Sequence, residues 1–368
     1  MGGRRPKLLF AAGDLSAGTG GIATLSRQVI SSLLEMHYKK LIMLEIYVLN
    51  GGEATADDLW AEGAGSPSIR WFKGSRWRFS LAVAAARCDL RLFDHAGLAR
   101  LQSLSSLWRG RYVLMIHGVE MWRSGRSDYH RAARHAKALI ANSNYTARRT
   151  REVCPGLPEI SVCWPGMDRP ETMERGMFGP DTEIGPNAML IVGRLDAQQR
   201  HKGHDNLLEA LPLILESVPD AQLVVAGDGD DLPRLKQRAQ SLGIAQHVVF
   251  KGRVDGRALH ALYQQCALFV MLSDGDGFGL VFLEAMMHRT PCVGLAGSAA
   301  DEVFEHNVSG ILTDRDDRNI LAECLSELLK DKERLTAIGD AGYQRYTGMF
   351  TGEHHAKRFR ALITQQMA

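Results

Sequence analysis

Short apolar runs alternate with amphipathic stretches along most of this chain, and many of the apolar runs end in glycine-bearing loops. "KLLFAA" at 7–12, "LIMLEIYVLN" at 41–50 and "YVLMIHG" at 112–118 have the length and residue types of buried strands. From Ile22, the apolar residues Leu25, Val29 and Leu33 recur at helical spacing. Helix-like and strand-like pieces alternate again between about 79 and 101. "AKALIANSNYTARRTRE" then reads as a short strand before a helix that starts at Ser143 or Asn144. Such alternation selects an α/β fold with a largely parallel sheet, because parallel strands need a crossover and a helix supplies it.

The pattern is interrupted once. Residues 163–187 hold four prolines and four glycines in 25 residues, which marks a linker. Alternation then resumes with "AMLIVGRL", "HDNLLEALPLILESVP", "AQLVVAGDG", "LPRLKQRAQSLG" and "HVVFKG", and runs on to "PCVGL". The expected organisation is a first Rossmann-like domain at 1–170, a linker at 171–187, a second at 188–345, and a terminal helix at 346–368 that packs back on the first domain. A chain of 368 residues is long enough for both cores. Open parallel sheets bind ligands at the C-terminal ends of their strands, so two of them predict a cleft lined by both.

Composition narrows the class. With 45% hydrophobic and 23% charged residues the chain reads as soluble and globular. There is no run of 18 apolar residues to span a membrane, and "LLFAA" near the start is too short for a signal peptide. Six cysteines without a CxxC pair suggest neither a zinc ribbon nor a disulfide framework, and fit the reduced, mostly buried thiols of a cytoplasmic protein. Charge is uneven: residues 1–180 carry 25 Lys and Arg against 16 Asp and Glu, the remainder 19 against 26. A basic first half suits an anionic membrane or substrate, or is simply solvated surface.

Several loops carry residues suited to chemistry. In "SDGDGFGLVFLEAM" (273–286), Asp276 lies in the loop after a strand and Glu284 early in an apolar helix. A carboxylate amid "LVFLEAMM" needs a partner, so Glu284 should reach a ligand or a backbone donor. Carboxylates accept from sugar or ribose hydroxyls, and the backbone N–H groups of Gly277, Phe278 and Gly279 could hold phosphate oxygens. The plainer alternative is a glycine loop followed by a half-exposed glutamate. "VGRLDAQQRHKG" (192–203) sets Arg194 at a strand end and Lys202 before a helix, a pair suited to a diphosphate, unless both are ordinary surface cations. "TGGIATLS" sets Gly20 and Gly21 at a helix start, where a ligand can approach closely, although the spacing is not that of a dinucleotide fingerprint. His117 ends a strand and can bond a sugar hydroxyl or stay structural; His95 is similar, and Glu120 either contacts an acceptor or caps its loop. Glu302, in the first turn of a further helix, favours the helix dipole. The aspartates of "GDGDD" (227–231) and "DGD" (274–276) admit a metal but lack histidine at useful spacing, so no metal is expected. The basic, aromatic stretch at 70–87 could rest on an anionic bilayer or serve an acceptor. No recognition module for nucleic acid is present.

In order along the chain, "GTGG", "HG" at 117–118, "GRL…KG" at 193–203, "AGDG" at 226–229, "DGFGLVFLEAM" at 276–286 and "GSAADEV…SG" at 297–310 resemble a retaining family-4 glycosyltransferase of the GT-B fold. The likeness is strongest from 187 to 315 and loose over 50–110. It implies two Rossmann-like domains facing each other across a deep cleft. It also implies transfer of a hexosyl group from a UDP- or GDP-linked sugar to an acceptor hydroxyl, with retention at the anomeric carbon. By the same resemblance Arg194 and Lys202 neutralise the donor diphosphate, Glu284 binds the nucleotide ribose, and Asp276 lies near the donor sugar hydroxyls. His117 sits near the reacting sugar, Glu302 beside the donor, and Gly20 and Gly21 approach the donor phosphates. The family has two glutamates with this spacing; here Asp276 takes the place of the first, and Ser298 takes the place of a glycine. A polysaccharide precursor or lipid-linked saccharide would suit the basic first domain as acceptor, with a soluble small acceptor as the alternative; no cofactor is expected, and the protein is expected in the cytoplasm, free or peripheral at the cytoplasmic face of the membrane. A non-catalytic nucleotide-sugar-binding or scaffold protein of the same fold is the alternative.

Overall fold

A computed structural model of the chain describes residues 4–16, 20–52, 65–100, 102, 111–122, 126–169 and 183–367. Most of the expected linker, and Gly18 and Thr19 of the "GTGG" loop, lie outside these residues. The chain divides into two compact units: residues 1–166 with 352–368, and residues 167–351.

The first unit contains seven strands: β1 (Lys7–Ala12), β2 (Met43–Val48), β3 (Ser68–Trp71), β4 (Leu90–Phe93), β5 (Tyr112–Ile116), β6 (Ala138–Ala141) and β7 (Ile160–Val162). They lie in the order β3-β2-β1-β4-β5-β6-β7, and every pairing is parallel. Both faces are covered, which explains why β1 is apolar throughout: Leu8, Phe10 and Ala12 enter one core, Leu9 and Ala11 the other. The helix Gly352–Met367 also belongs to this unit. Its Phe359 and Ile363 are fully buried in the same core as Leu8 and Phe10. Arg360 pairs with Glu35, and the Lys137 ammonium donates to the Gln366 carbonyl at 2.6 Å.

The second unit repeats the plan with β8 (Ala188–Val192), β9 (Gln222–Ala226), β10 (Val248–Gly252), β11 (Leu268–Met271), β12 (Cys292–Leu295) and β13 (Ile311–Thr313). Their order is β10-β9-β8-β11-β12-β13, again all parallel. In both sheets the order reverses beside the first strand, between β1 and β4 and between β8 and β11. Those two switch points are where Rossmann-like sheets leave a crevice at their strand ends.

The structure adds what the sequence pattern did not show. β3, β7 and β13 are edge strands of three or four residues that are only partly buried, so they lack the fully apolar runs that mark the inner strands. The terminal helix begins at Gly352 rather than at 346, because the helix Lys332–Met349 runs on and the break falls at Phe350–Thr351.

Candidate functional site

The second unit's switch point is built from two loops. After β8 the chain passes through Gly193 and Arg194 to a tight turn at Ala197–Lys202, and after β11 it runs from Leu272 to Gly279. Lys202 reaches across and donates to both carboxylate oxygens of Asp276, each at 2.9 Å. Burial works to raise the Asp276 pKa, but Lys202, Ser273 and His201 outweigh it and hold the carboxyl below its ordinary value. Gly193 makes room for this pair: a Cβ there would sit 2.9 Å from Lys202 Cδ. Gly227, at φ 154°, packs against the Gly193 carbonyl so closely that a side chain would collide with it. The "AGDG" stretch therefore serves backbone approach between the β9 and β8 loops.

Arg315, in the loop after β13, braces the two loops together. It donates to the carbonyls of His201 at 2.9 Å and Leu272 at 2.7 Å, and to the Asp274 carboxylate at 2.7 Å. No sequence signal singled it out, because its partners lie 41 or more positions away. Arg194 is not a member of the Lys202–Asp276 ion pair. Its side chain is 71% exposed and sits 3.8 Å from Asp196.

The helix Leu280–Met287 follows from Gly279, which adopts the left-handed region at φ 88°. Leu283, Met286 and Met287 are buried, and Glu284 is half-buried. The partner that Glu284 needs is a side chain: its Oε2 accepts from the Tyr263 hydroxyl at 2.9 Å. Burial raises the Glu284 pKa, and the Tyr263 bond opposes that shift. The Phe278 ring is buried and meets Phe350 edge-on at 5.7 Å, so at that position only backbone remains for a ligand. Glu302 lies on the short helix Ala300–Val303, while its neighbour Asp301 accepts from Gly297 N at 3.1 Å.

The remaining aspartates are held by protein donors. Asp231 joins Arg200 and Arg234, which bring its pKa to about 2. Asp230 accepts from Ala197 N, and Asp228 from Gly229 N. Among the described residues, no cluster of three or more histidine, cysteine or acidic side chains could hold a metal ion.

The first unit's switch point is organised differently. Asp94, at the end of β4, is 1% exposed. Its Oδ2 accepts from Gly13 N at 2.9 Å and from Ser26 Oγ at 2.8 Å, which ties the β1 loop and the first helix to β4. Burial raises its pKa despite those bonds. His117, after β5, places Nε2 2.5 Å from the Asp94 carbonyl. A carbonyl only accepts, so Nε2 carries the proton and the acceptor of the neutral ring is Nδ1. Nδ1 is buried and has no partner among the described residues. Glu120 Oε1 accepts from His117 N at 2.6 Å, and Asn142 donates to the His117 carbonyl at 3.0 Å. Glu120 thus caps its loop. His95 caps as well: Nδ1 accepts from Gly97 N at 3.0 Å, and its ring stands edge-on to Tyr129 at 5.6 Å. Gly20, at φ 123°, precedes the helix Gly21–Tyr38, whose start has no side-chain cap. Asp94 is a site residue beyond those expected from the sequence; its signal there is a carboxylate directly after the apolar β4.

The basic stretch at 70–87 folds as the end of β3 and the helix Arg76–Ala85. Trp77 is 69% exposed and Leu81 50%. Beside them is a pocket of about 430 Å³ lined by Tyr47, Arg70, Phe72, Arg78 and Leu81, among others, with the Arg70 guanidinium 5.1 Å from the Tyr47 ring centre. All six cysteines are free thiols. Among the described residues, no helix is long and apolar enough to cross a membrane.

Residues 178–345 match the family model described as glycosyl transferases group 1. Over 94% of its own length and of the relative's, the chain is 26% identical to the GDP-mannose-dependent alpha-(1-6)-phosphatidylinositol monomannoside mannosyltransferase of Mycobacterium tuberculosis. It is 29% identical to the D-inositol 3-phosphate glycosyltransferase of Corynebacterium urealyticum, over 62% of this chain and 55% of that one. The chain is a relative of glycosyltransferases. Its fold is similar to that of HepE of Anabaena in complex with UDP and glucose, with a TM-score of 0.76 and 19% identity over 98% of this chain and 100% of that one. The sucrose-phosphate synthase of Thermosynechococcus elongatus gives a TM-score of 0.74 and 17% identity, over 98% and 99%. The fold is GT-B, two Rossmann-like domains.

Proposed function

We propose that the protein is a retaining hexosyltransferase that uses a UDP- or GDP-linked sugar as donor and the hydroxyl of a polysaccharide precursor or lipid-linked saccharide as acceptor. The observation that carries this reading is the meeting of Lys202 and Asp276 at the second switch point. Lys202 is an ammonium held by one carboxylate on a partly exposed loop, so a diphosphate can take the carboxylate's place without a large rearrangement. In this reading Lys202 and Arg194 stabilise the charge that builds on the departing diphosphate. The leaving oxygen accepts the acceptor's proton, so no carboxylate nucleophile is required. The backbone N–H groups at Gly277–Gly279 and the helix starting at Gly21 face phosphate oxygens. Glu284 accepts from the ribose hydroxyls, Asp276 lies toward the donor sugar, Glu302 lies beside the donor, and His117 Nδ1 accepts from a sugar hydroxyl. No metal is assigned, since the cations supply the neutralisation. The full-length relatives named for phosphatidylinositol mannoside transfer support a lipid-linked acceptor.

A peripheral position at the cytoplasmic face of a membrane goes with that acceptor. Its support is the helix Arg76–Ala85, where Trp77 and Leu81 are exposed one turn apart among Arg70, Lys73, Arg76, Arg78 and Arg87. No acidic residue occurs from 65 to 88.

The test is a panel of UDP- and GDP-sugars with product analysis by mass and by anomeric configuration. A product with inverted configuration, or binding without turnover across the panel, would replace this reading; the second outcome selects a non-catalytic sugar-nucleotide binder.

A further inference from the structure

Tyr263 has no role in the proposed reaction, yet it is bonded to the carboxylate of Glu284 and held firmly by its neighbours. It lies on the helix Gly256–Gln265 and is fully buried. A buried tyrosine hydroxyl needs a partner, and this one donates to Glu284 Oε2 at 2.9 Å, 21 positions away on another helix. Its ring is fixed on two sides. The His288 ring stacks on it at 5.9 Å with an interplanar angle of 11°, and Phe269 of β11 meets it at 5.5 Å and 66°. Its carbonyl accepts from Thr290 Oγ1 at 2.6 Å, so the backbone is pinned as well. His288 is in turn held by His260, nitrogen to nitrogen at 3.0 Å.

A glutamate side chain has three rotatable bonds, and the apolar helix around Glu284 offers no other polar side chain: its neighbours are Leu280, Val281, Phe282, Leu283, Ala285, Met286 and Met287. A hydrogen bond from a rigid donor is what gives such a carboxylate one direction. We infer that Tyr263 is the positioning residue of the nucleotide site: its hydroxyl occupies one lobe of the Glu284 carboxylate and aims the remaining lone pairs at the ribose hydroxyls. This rests on the ribose role proposed for Glu284. Tyr263 itself touches no substrate; it acts through Glu284.

The test is calorimetric affinity for UDP and GDP, each compared with its 2′,3′-dideoxy form, on the full chain and on Tyr263→Phe, Glu284→Ala and His288→Leu. In the parent protein the dideoxy form should bind about 30-fold more weakly, the effect of losing hydrogen bonds to a charged acceptor. Tyr263→Phe keeps the ring and its packing. It should weaken the ribonucleotide about 10-fold and shrink the dideoxy penalty to about threefold. A purely structural tyrosine would lower stability but leave that ratio unchanged. In turnover, the donor KM should rise while kcat holds. His288→Leu removes the stacked ring but keeps the hydroxyl, and should shift the ratio in the same direction by a smaller factor. It serves as the second reading should Tyr263→Phe not fold. If Glu284→Ala binds both forms as the parent does, the ribose assignment itself falls. If Glu284→Ala loses the discrimination while folded Tyr263→Phe or His288→Leu keeps it in full, the positioning role of Tyr263 is overturned alone.

Discussion

The two switch points occupy the same place in two sheets of the same strand order, yet they are held in opposite ways. In the first unit the polar groups are bound to backbone and to one another. Asp94 grips Gly13 N and Ser26, His117 donates to the Asp94 carbonyl, and Glu120 accepts from His117 N. In the second unit the central contact is an ion pair between two side chains, Lys202 and Asp276, with 11% and 28% of their side chains exposed. Backbone-anchored groups cannot leave without opening the fold. An ammonium on a flexible stem can exchange a carboxylate for a phosphate at little conformational cost. On the proposed reading the first arrangement is a frame and the second a socket, and the difference can be measured by separating stability from turnover.

The largest effect should come from the socket. Lys202→Ala is expected to reduce transfer about 100- to 1,000-fold, as loss of a group facing developing charge does. It should move the melting temperature by only a few degrees, since Asp276 keeps partial access to water. Near-parental turnover would break the comparison. Asp94→Ala should do the reverse and cost about 1–3 kcal/mol in urea unfolding, because it orphans the Gly13 N–H and the Ser26 hydroxyl. A stability cost for Lys202→Ala as large as that for Asp94→Ala would show that both sites are frames.

Protonation sharpens the contrast. His204, beside Lys202 in sequence, and His288 are both lowered to about 4, chiefly by burial. The unfolded chain binds their protons near the ordinary value of about 6.5 while the folded chain does not. Their contribution to stability is therefore full above that value and is lost as pH falls through the window toward about 4. Asp94 and Glu284, whose pKa values are raised, work in the opposite sense: their protons are held in the folded state, and their contribution fades as pH rises. Urea unfolding between pH 4.5 and 7 should differ in slope between the parent and His204→Leu, the substitution removing the rise with pH that His204 contributes. A slope unchanged by that substitution would count against a neutral buried His204.

Arg194→Ala should give the smallest structural effect, within about 0.5 kcal/mol, because the side chain is mostly exposed. Its loss should still lower the transfer rate in the sugar-nucleotide assay, as expected of a cation on the donor diphosphate. Trp77→Ala with Arg76→Glu should likewise leave unfolding untouched while reducing flotation with anionic vesicles; parental flotation would remove the membrane proposal.

Much of this was legible in the chain itself. The alternation between strand and helix gives both sheets, since long apolar runs such as those of β1 and β9 have few other places to go. The loops holding Lys202 and Asp276 and the helix holding Glu284 were equally visible, as each follows a strand or follows from a glycine loop. What sequence could not supply is the pairing. That Lys202 meets Asp276, that Glu284 meets Tyr263, and that Arg315 joins two loops are facts of strand order, fixed by contacts 21 to 114 positions apart. The short strands β3, β7 and β13 were illegible for a different reason: they lie at sheet edges, are only partly buried, and so carry no apolar run.

The helix Gly352–Met367 gives the molecule an order of assembly. During synthesis the strands of the first unit leave the ribosome before the second unit exists, and domains generally fold in that order. Here the early unit emerges without the helix that carries Phe359 and Ile363, so the apolar surface they cover stays open through translation of nearly 200 further residues. A message truncated just before codon 352 would encode the second unit in full. It would still release a product whose first unit is unsealed, a natural client for chaperones and proteases.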